Sequence, residues 1–203
     1  MLNRKVKIAV MVSGGGTNLQ ALLDNERAGL IPDGEIALVL SNNPNAYALT
    51  RAENFGVKAV CVSKADYPDF SDRENKMMEV LKENGIELIV LAGYLSILSE
   101  KFTSAYADRI INIHPSLIPS FCGAGYYGLK VHESALAYGV KVTGATVHFV
   151  NEIPDGGKII MQKAVEIQDG DTPEVLQKRV MEEAEWKILP LATQKVCKIL
   201  KGE

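Results

Sequence analysis

The chain has 203 residues, 47% of them hydrophobic and 23% charged, which is the balance of an ordered globular protein and the length of one domain, residues 1–203. A net charge of −3 lacks the basic excess of a nucleic-acid binder, and no apolar run approaches the ~20 residues that span a bilayer. Cys61, Cys122 and Cys197 are an odd set without ligand-like spacing, which disfavours a disulfide framework or zinc site and fits a reducing, cytoplasmic setting.

In chain order, the first apolar run is Val6–Val12, too short and too interrupted by Lys7 for a signal peptide. It predicts a strand, as do Ile36–Leu40, Val57–Val62 and Ile86–Ala92, each expected to be buried on both faces; Arg109–Ile113 predicts a fifth. Between them lie helical stripes: Leu19, Leu22 and Leu23; Ala48, Ala52 and Phe55; Met77, Met78 and Leu81. Gly56 and Gly85 stand where helices should end with positive φ. The pattern predicts a Rossmann-like α/β fold, an open and mostly parallel sheet with helices on both faces. After His114 come two longer strands, Val142–Val150 and Lys158–Ile167, whose short connection permits only a hairpin, so one of them should run antiparallel. Thr172-Pro173-Glu174 has the N-cap, first-turn proline and acid that open a last helix, which Pro190 should bend or break.

Ligands of such sheets bind beyond the carboxyl ends of the strands, which singles out residues 13–18, 41–43, 93–98 and 112–116. Ser13-Gly14-Gly15-Gly16-Thr17-Asn18 joins the first strand to the first helix. Its glycines let backbone approach a ligand closely, and the helix start offers unpaired N–H groups, so a phosphate is a natural guest. A dinucleotide fingerprint does not fit, because Leu19 takes the place of its last glycine and no acid follows the second strand. No GKS or GKT follows for a P-loop. A tight turn before a capped helix is the plainer alternative.

Asn112 and His114 lie two apart at the end of the fifth strand, so they point to one side, and Pro115 stops the pairing there. Asn is a neutral donor for a developing oxyanion, and His exchanges a proton near pH ~6.5. Asp155 in Pro154-Asp155-Gly156-Gly157 can hold His114 charged or move a proton through water; on its own, that sequence is first of all a turn. His148 reads as a core or supporting histidine, and His132 as a surface one at a helix start. No pair demands a metal, and Ser116 lacks a nucleophile elbow.

Taken together, SGGGTNLQALL (13–23), LAGYLSIL (91–98), NIHPSLIPSF (112–121), GATVHFV (144–150), DGGKIIMQ (155–162) and EWKILP (185–190) resemble the phosphoribosylglycinamide formyltransferases, and they run along nearly the whole chain. The resemblance implies attack by the amine of glycinamide ribonucleotide on the formyl carbon of 10-formyltetrahydrofolate, through a tetrahedral intermediate and without a metal. It implies that Asn112 and His114 stabilise the oxyanion, with Asp155 assisting proton transfer and His148 and Thr146 behind them. Gly15, Gly16, Thr17 and Asn18 would hold the phosphate and Glu185 the ribose. Tyr94, Leu95, Ser96, Ile97 and Leu98, with Asn112, would form the formyl-folate shelf, and Arg73 would lie near its distal part. The family's proteins are expected to act in the cytoplasm as monomers or homodimers on small molecules, with no nucleic-acid or membrane partner. Against the family pattern, Cys122 replaces a proline, Gly123–Gly128 looks long, Ser96 is small and Trp186 stands where histidine is common.

Three other functions share parts of this pattern. A formyltetrahydrofolate hydrolase would carry an extra N-terminal domain, for which a first strand at about residue 6 leaves no room. A methionyl-tRNA formyltransferase would add an RNA-binding module after the last helix and favour a basic chain. A noncatalytic folate or nucleotide carrier would need none of Asn112, His114 and Asp155.

Overall fold

A computed structural model describes residues 4–203. Fifteen elements follow in order: β1 (Val6–Val12), α1 (Thr17–Arg27), β2 (Gly34–Ser41), α2 (Tyr47–Asn54), β3 (Lys58–Cys61), α3 (Phe70–Glu83), β4 (Leu88–Leu91), α4 (Glu100–Ala105), β5 (Ile110–His114), α5 (Leu129–Tyr138), β6 (Val142–Phe149), β7 (Ile159–Glu166), α6 (Pro173–Val180), a π-helical turn (Met181–Glu185) and α7 (Trp186–Lys201). The strands form one seven-stranded sheet in the order β3-β2-β1-β4-β5-β6-β7. Its first five strands are parallel, and β6 runs antiparallel to both β5 and β7, so the expected reversal falls on β6.

Alternation along β1 divides the core. Val6, Ile8, Val10 and Val12 face Leu19, Leu22 and Leu23 of α1 and the inner stripe of α7, while Ala9 and Met11 face Met77 and Leu81 of α3 and Phe102 of α4. Helices therefore cover both faces, as the spacing predicted. Gly56 and Gly85 take φ of +72° and +64° just past their helices. Thr172 caps α6 by accepting from the N–H of Val175. Among the described residues, no helix is long and apolar enough to cross a membrane.

Three expectations need correction. β3 is not buried on both faces: it is the sheet edge, and Lys58 is exposed while Ala59, Val60 and Cys61 are only half-buried. Pro190 does not break its helix; α7 continues through it, and the irregularity lies before α7 begins, at Met181–Glu185. Nor is His132 a surface residue. With Val131 and Ala135 it forms the inner stripe of α5, fully buried, and neither ring nitrogen finds a hydrogen-bond partner.

Burial and the nearby His114 pull the His132 pKa down to about 4. Below pH ~6.5 the unfolded chain takes up a proton there that the fold refuses. This contribution to stability is therefore fully present above pH ~6.5 and lost as pH falls toward 4. Urea unfolding should show stability dropping between pH 6.5 and 5 by up to about 1.4 kcal/mol per unit for this group. His132→Leu should flatten that limb without removing it, because His114 is shifted in the same direction.

Candidate active site

The strand order reverses between β1 and β4, so the loops after β1, β4 and β5 open onto one crevice at the carboxyl ends. The long β6 returns from the antiparallel direction and sets Thr146 opposite His114 and His148 opposite Asn112. The loop after β6 carries Asp155 back over the same end of the sheet. Gly157 permits this return: a Cβ there would stand 1.7 Å from the Phe149 carbonyl oxygen. Asp155 itself adopts φ +55°, a left-handed turn residue that aims its carboxylate inward.

Asp155 lies between the two imidazoles. Its Oδ2 is 3.5 Å from His114 Nδ1 and accepts from the Gly123 N–H at 2.8 Å, and its Oδ1 is 3.5 Å from His148 Nε2. Burial pushes the Asp155 pKa up, but His148, His114 and the Gly123 N–H outweigh it and hold the carboxyl below its ordinary value. His114 Nε2 donates to the Phe121 carbonyl at 2.9 Å, so Nδ1, facing Asp155, is the nitrogen that titrates. Burial pulls the His114 pKa below the usual histidine value, against the pull of Asp155 and the Phe121 carbonyl. His148 donates from Nδ1 to the Phe149 carbonyl at 2.7 Å, which leaves Nε2 to accept from Asn112 Nδ2 at 3.2 Å. That contact fixes the Asn112 amide and leaves its second N–H for a ligand. Thr146 stands further back; its hydroxyl donates to the Ser116 carbonyl at 2.6 Å and accepts from the Ile118 N–H at 3.1 Å, holding the turn that follows His114.

The glycine loop turns its carbonyls away from the crevice. Ala48 N–H donates to the Gly14 oxygen at 3.1 Å, and Arg51 Nε donates to that of Gly15 at 2.8 Å. α1 then begins with no side-chain cap and no acid in its first turn, so its leading N–H groups remain for an anion. Asn18 Nδ2 donates to Glu185 Oε2 at 2.5 Å, joining this loop to the π-helical turn. Burial pushes the Glu185 pKa up to about 7, opposed by the Asn18 bond.

Two cavities, of about 120 and 510 Å³, share a wall made by Tyr94, Ser96, Ile97, Asn112, Pro154 and Asp155. Leu95 and Leu98 each line one of them. Burial raises the Tyr94 phenol to about 12, so it stays protonated. Arg73 lines neither cavity; it donates to the Tyr67 carbonyl at 2.9 Å and stacks over Phe70. Sequence reasoning gave no role to Arg51, Phe121 and Gly123, which act through backbone atoms or on backbone atoms; Phe121 and Gly123 lie in segments already singled out, but side-chain identity does not show a main-chain contact. Among the described residues, no group of three or more His, Cys, Asp and Glu side chains is placed to hold a metal ion.

The formyl transferase family matches residues 6–193. The chain is 43% identical to the trifunctional purine biosynthetic protein adenosine-3 of Gallus gallus, over 95% of this chain but only 18% of that protein. It is 40% identical to the phosphoribosylglycinamide formyltransferase of Haemophilus influenzae, over 91% of this chain and 84% of that one. The crystal structure of glycinamide ribonucleotide transformylase 1 from Symbiobacterium toebii superposes with a TM-score of 0.89 at 40% identity, covering 100% of this chain and 90% of that one.

Two glycines of the loop should respond differently to a methyl group. A Cβ on Gly15 meets nothing within 4 Å, whereas Gly16 has φ +74° and its Cβ would fall 2.6 Å from that of Ala48. Gly16→Ala should lose roughly 1–3 kcal/mol in urea unfolding, with Gly15→Ala close to wild type. Equal midpoints for the two variants would contradict this geometry.

Proposed function

The chain belongs to the formyl transferase family, and we propose that it works as one phosphoribosylglycinamide formyltransferase domain, moving a formyl group from 10-formyltetrahydrofolate to the amine of 5′-phosphoribosylglycinamide in purine biosynthesis. The observation that carries this reading is the convergence of Asn112, His114 and Asp155 on the crevice that also receives the glycine loop.

The folate supplies an activated formyl group. The residues suit such a molecule: Leu95 and Ile97, 64% and 68% exposed, offer apolar cover beside the polar wall of Tyr94, Asn112 and Asp155. The leading N–H groups of Gly15–Asn18 take the acceptor's phosphate, and Glu185 takes its ribose hydroxyls. As the amine adds to the formyl carbon, negative charge builds on the formyl oxygen, and the free N–H of Asn112 and the His114 ring stabilise it. His114 Nε2–H is held by the Phe121 carbonyl until that oxygen competes for it. Asp155, kept ionised, orients the His114 ring through Nδ1 and accepts the amine's surplus proton by way of water. The departing folate nitrogen recovers a proton, so the exchange balances. No step calls on a metal or an acyl-enzyme.

Purified protein should formylate glycinamide ribonucleotide from 10-formyltetrahydrofolate without added metal. His114→Ala should lose at least about 10²-fold in turnover with an unchanged circular dichroism spectrum. Release of formate without formylated amine would favour transfer to water instead, and undiminished turnover in the variant would remove His114 from the chemistry.

A further inference from the structure

We propose that Ser13, although it opens the glycine loop, is a positioning residue for the folate side of the crevice. The inference rests on the functional reading above and concerns which half of the site this residue serves.

The segment between β4 and α4 that forms the shelf contains no helix or strand, yet it presents Leu95 and Ile97 to solvent. Its shape depends on a few bonds from neighbouring elements. Ala92 N–H donates to the Met11 carbonyl at 2.9 Å, Asn42 Nδ2 donates to Ser96 Oγ at 2.8 Å, and the Ser99 N–H donates to Glu74 Oε1 at 2.8 Å. Ser13 makes two more: its N–H donates to the Gly93 carbonyl at 3.1 Å, and its Oγ accepts from the Leu95 N–H at 3.0 Å. The Ser13 carbonyl accepts from Asn43 Nδ2 at 3.1 Å. Backbone N–H, carbonyl and hydroxyl oxygen are thus all engaged away from Gly15–Asn18. The topology explains the pairing. β1 and β4 are neighbours at the reversal of strand order, so the first residue past β1 lies against the first turn past β4. The Leu95 bond is the only one of these that pins an N–H in the middle of the exposed shelf, and a methyl side chain at position 13 would release it.

The test separates the two halves of the site. Ser13→Ala should raise the KM for 10-formyltetrahydrofolate, and the Kd for tetrahydrofolate measured by calorimetry without turnover, about five-fold, the weight of one neutral hydrogen bond. The KM for glycinamide ribonucleotide should stay at the wild-type value. Ser13→Thr, which keeps the hydroxyl, should restore folate binding, and Ser13→Cys, similar in bulk but a poor acceptor, should behave like the alanine variant. A rise confined to the ribonucleotide KM, equal rises in both, or no change in the folate Kd would overturn the inference. Wild-type protein that binds tetrahydrofolate but transfers no formyl group would overturn the functional reading alone. Wild-type protein that binds no tetrahydrofolate would overturn both.

Discussion

One carboxylate set between two imidazoles organises this crevice. Asp155 faces His114 with one oxygen and His148 with the other, and the Gly123 N–H supports it from a separate loop. A buried carboxylate would ordinarily move toward its neutral form; here the two imidazoles beside it and the Gly123 N–H hold it below its ordinary value. The consequences pass outward through ring tautomers. His114 must donate from Nε2 to a carbonyl, which turns its titrating nitrogen to Asp155, while His148 must donate from Nδ1, which turns its lone pair to Asn112. The amide of Asn112 is thereby aimed by a histidine that need not touch a substrate.

The sheet makes this arrangement possible. Parallel strands bring the glycine loop and the shelf segment side by side at the switch point, and the antiparallel β6 reaches back across β5 to deliver His148 and the Asp155 loop. Ser13 and Asn42 then tie the loops after β1 and β2 to the shelf after β4. The shelf and the loops around the crevice are irregular backbone, and their order comes from these few cross-links to regular strands.

Much of this was legible in the residues. β1 coincides with its apolar run, Thr172 caps the helix it was expected to cap, and Asn112 and His114 share a face because strand residues two apart always do. Asp155 was harder, since Pro-Asp-Gly-Gly reads equally as a turn; it is in fact a turn and an inward-facing carboxylate together. The failures have physical causes. β3 has the composition of a central strand, but only the strand order reveals an edge. His132 lies on the inner stripe of α5, a placement set by packing and not by its polarity. Arg73, whose place near the distal folate comes from the resemblance alone, lines neither cavity and donates to the Tyr67 carbonyl, so its side chain gives that role no geometric support here. Contacts made by main-chain atoms of Phe121 and Gly123 leave no mark in side-chain identity.

The central claim, that Asp155 sets the charge state of His114 through Nδ1, is best tested by NMR titration of the imidazole resonances in wild-type protein and Asp155→Asn. Loss of the carboxylate should lower the His114 pKa further, because burial would then act with less opposition. A His114 pKa that stays the same or rises in the variant would show that the two side chains are not electrostatically linked.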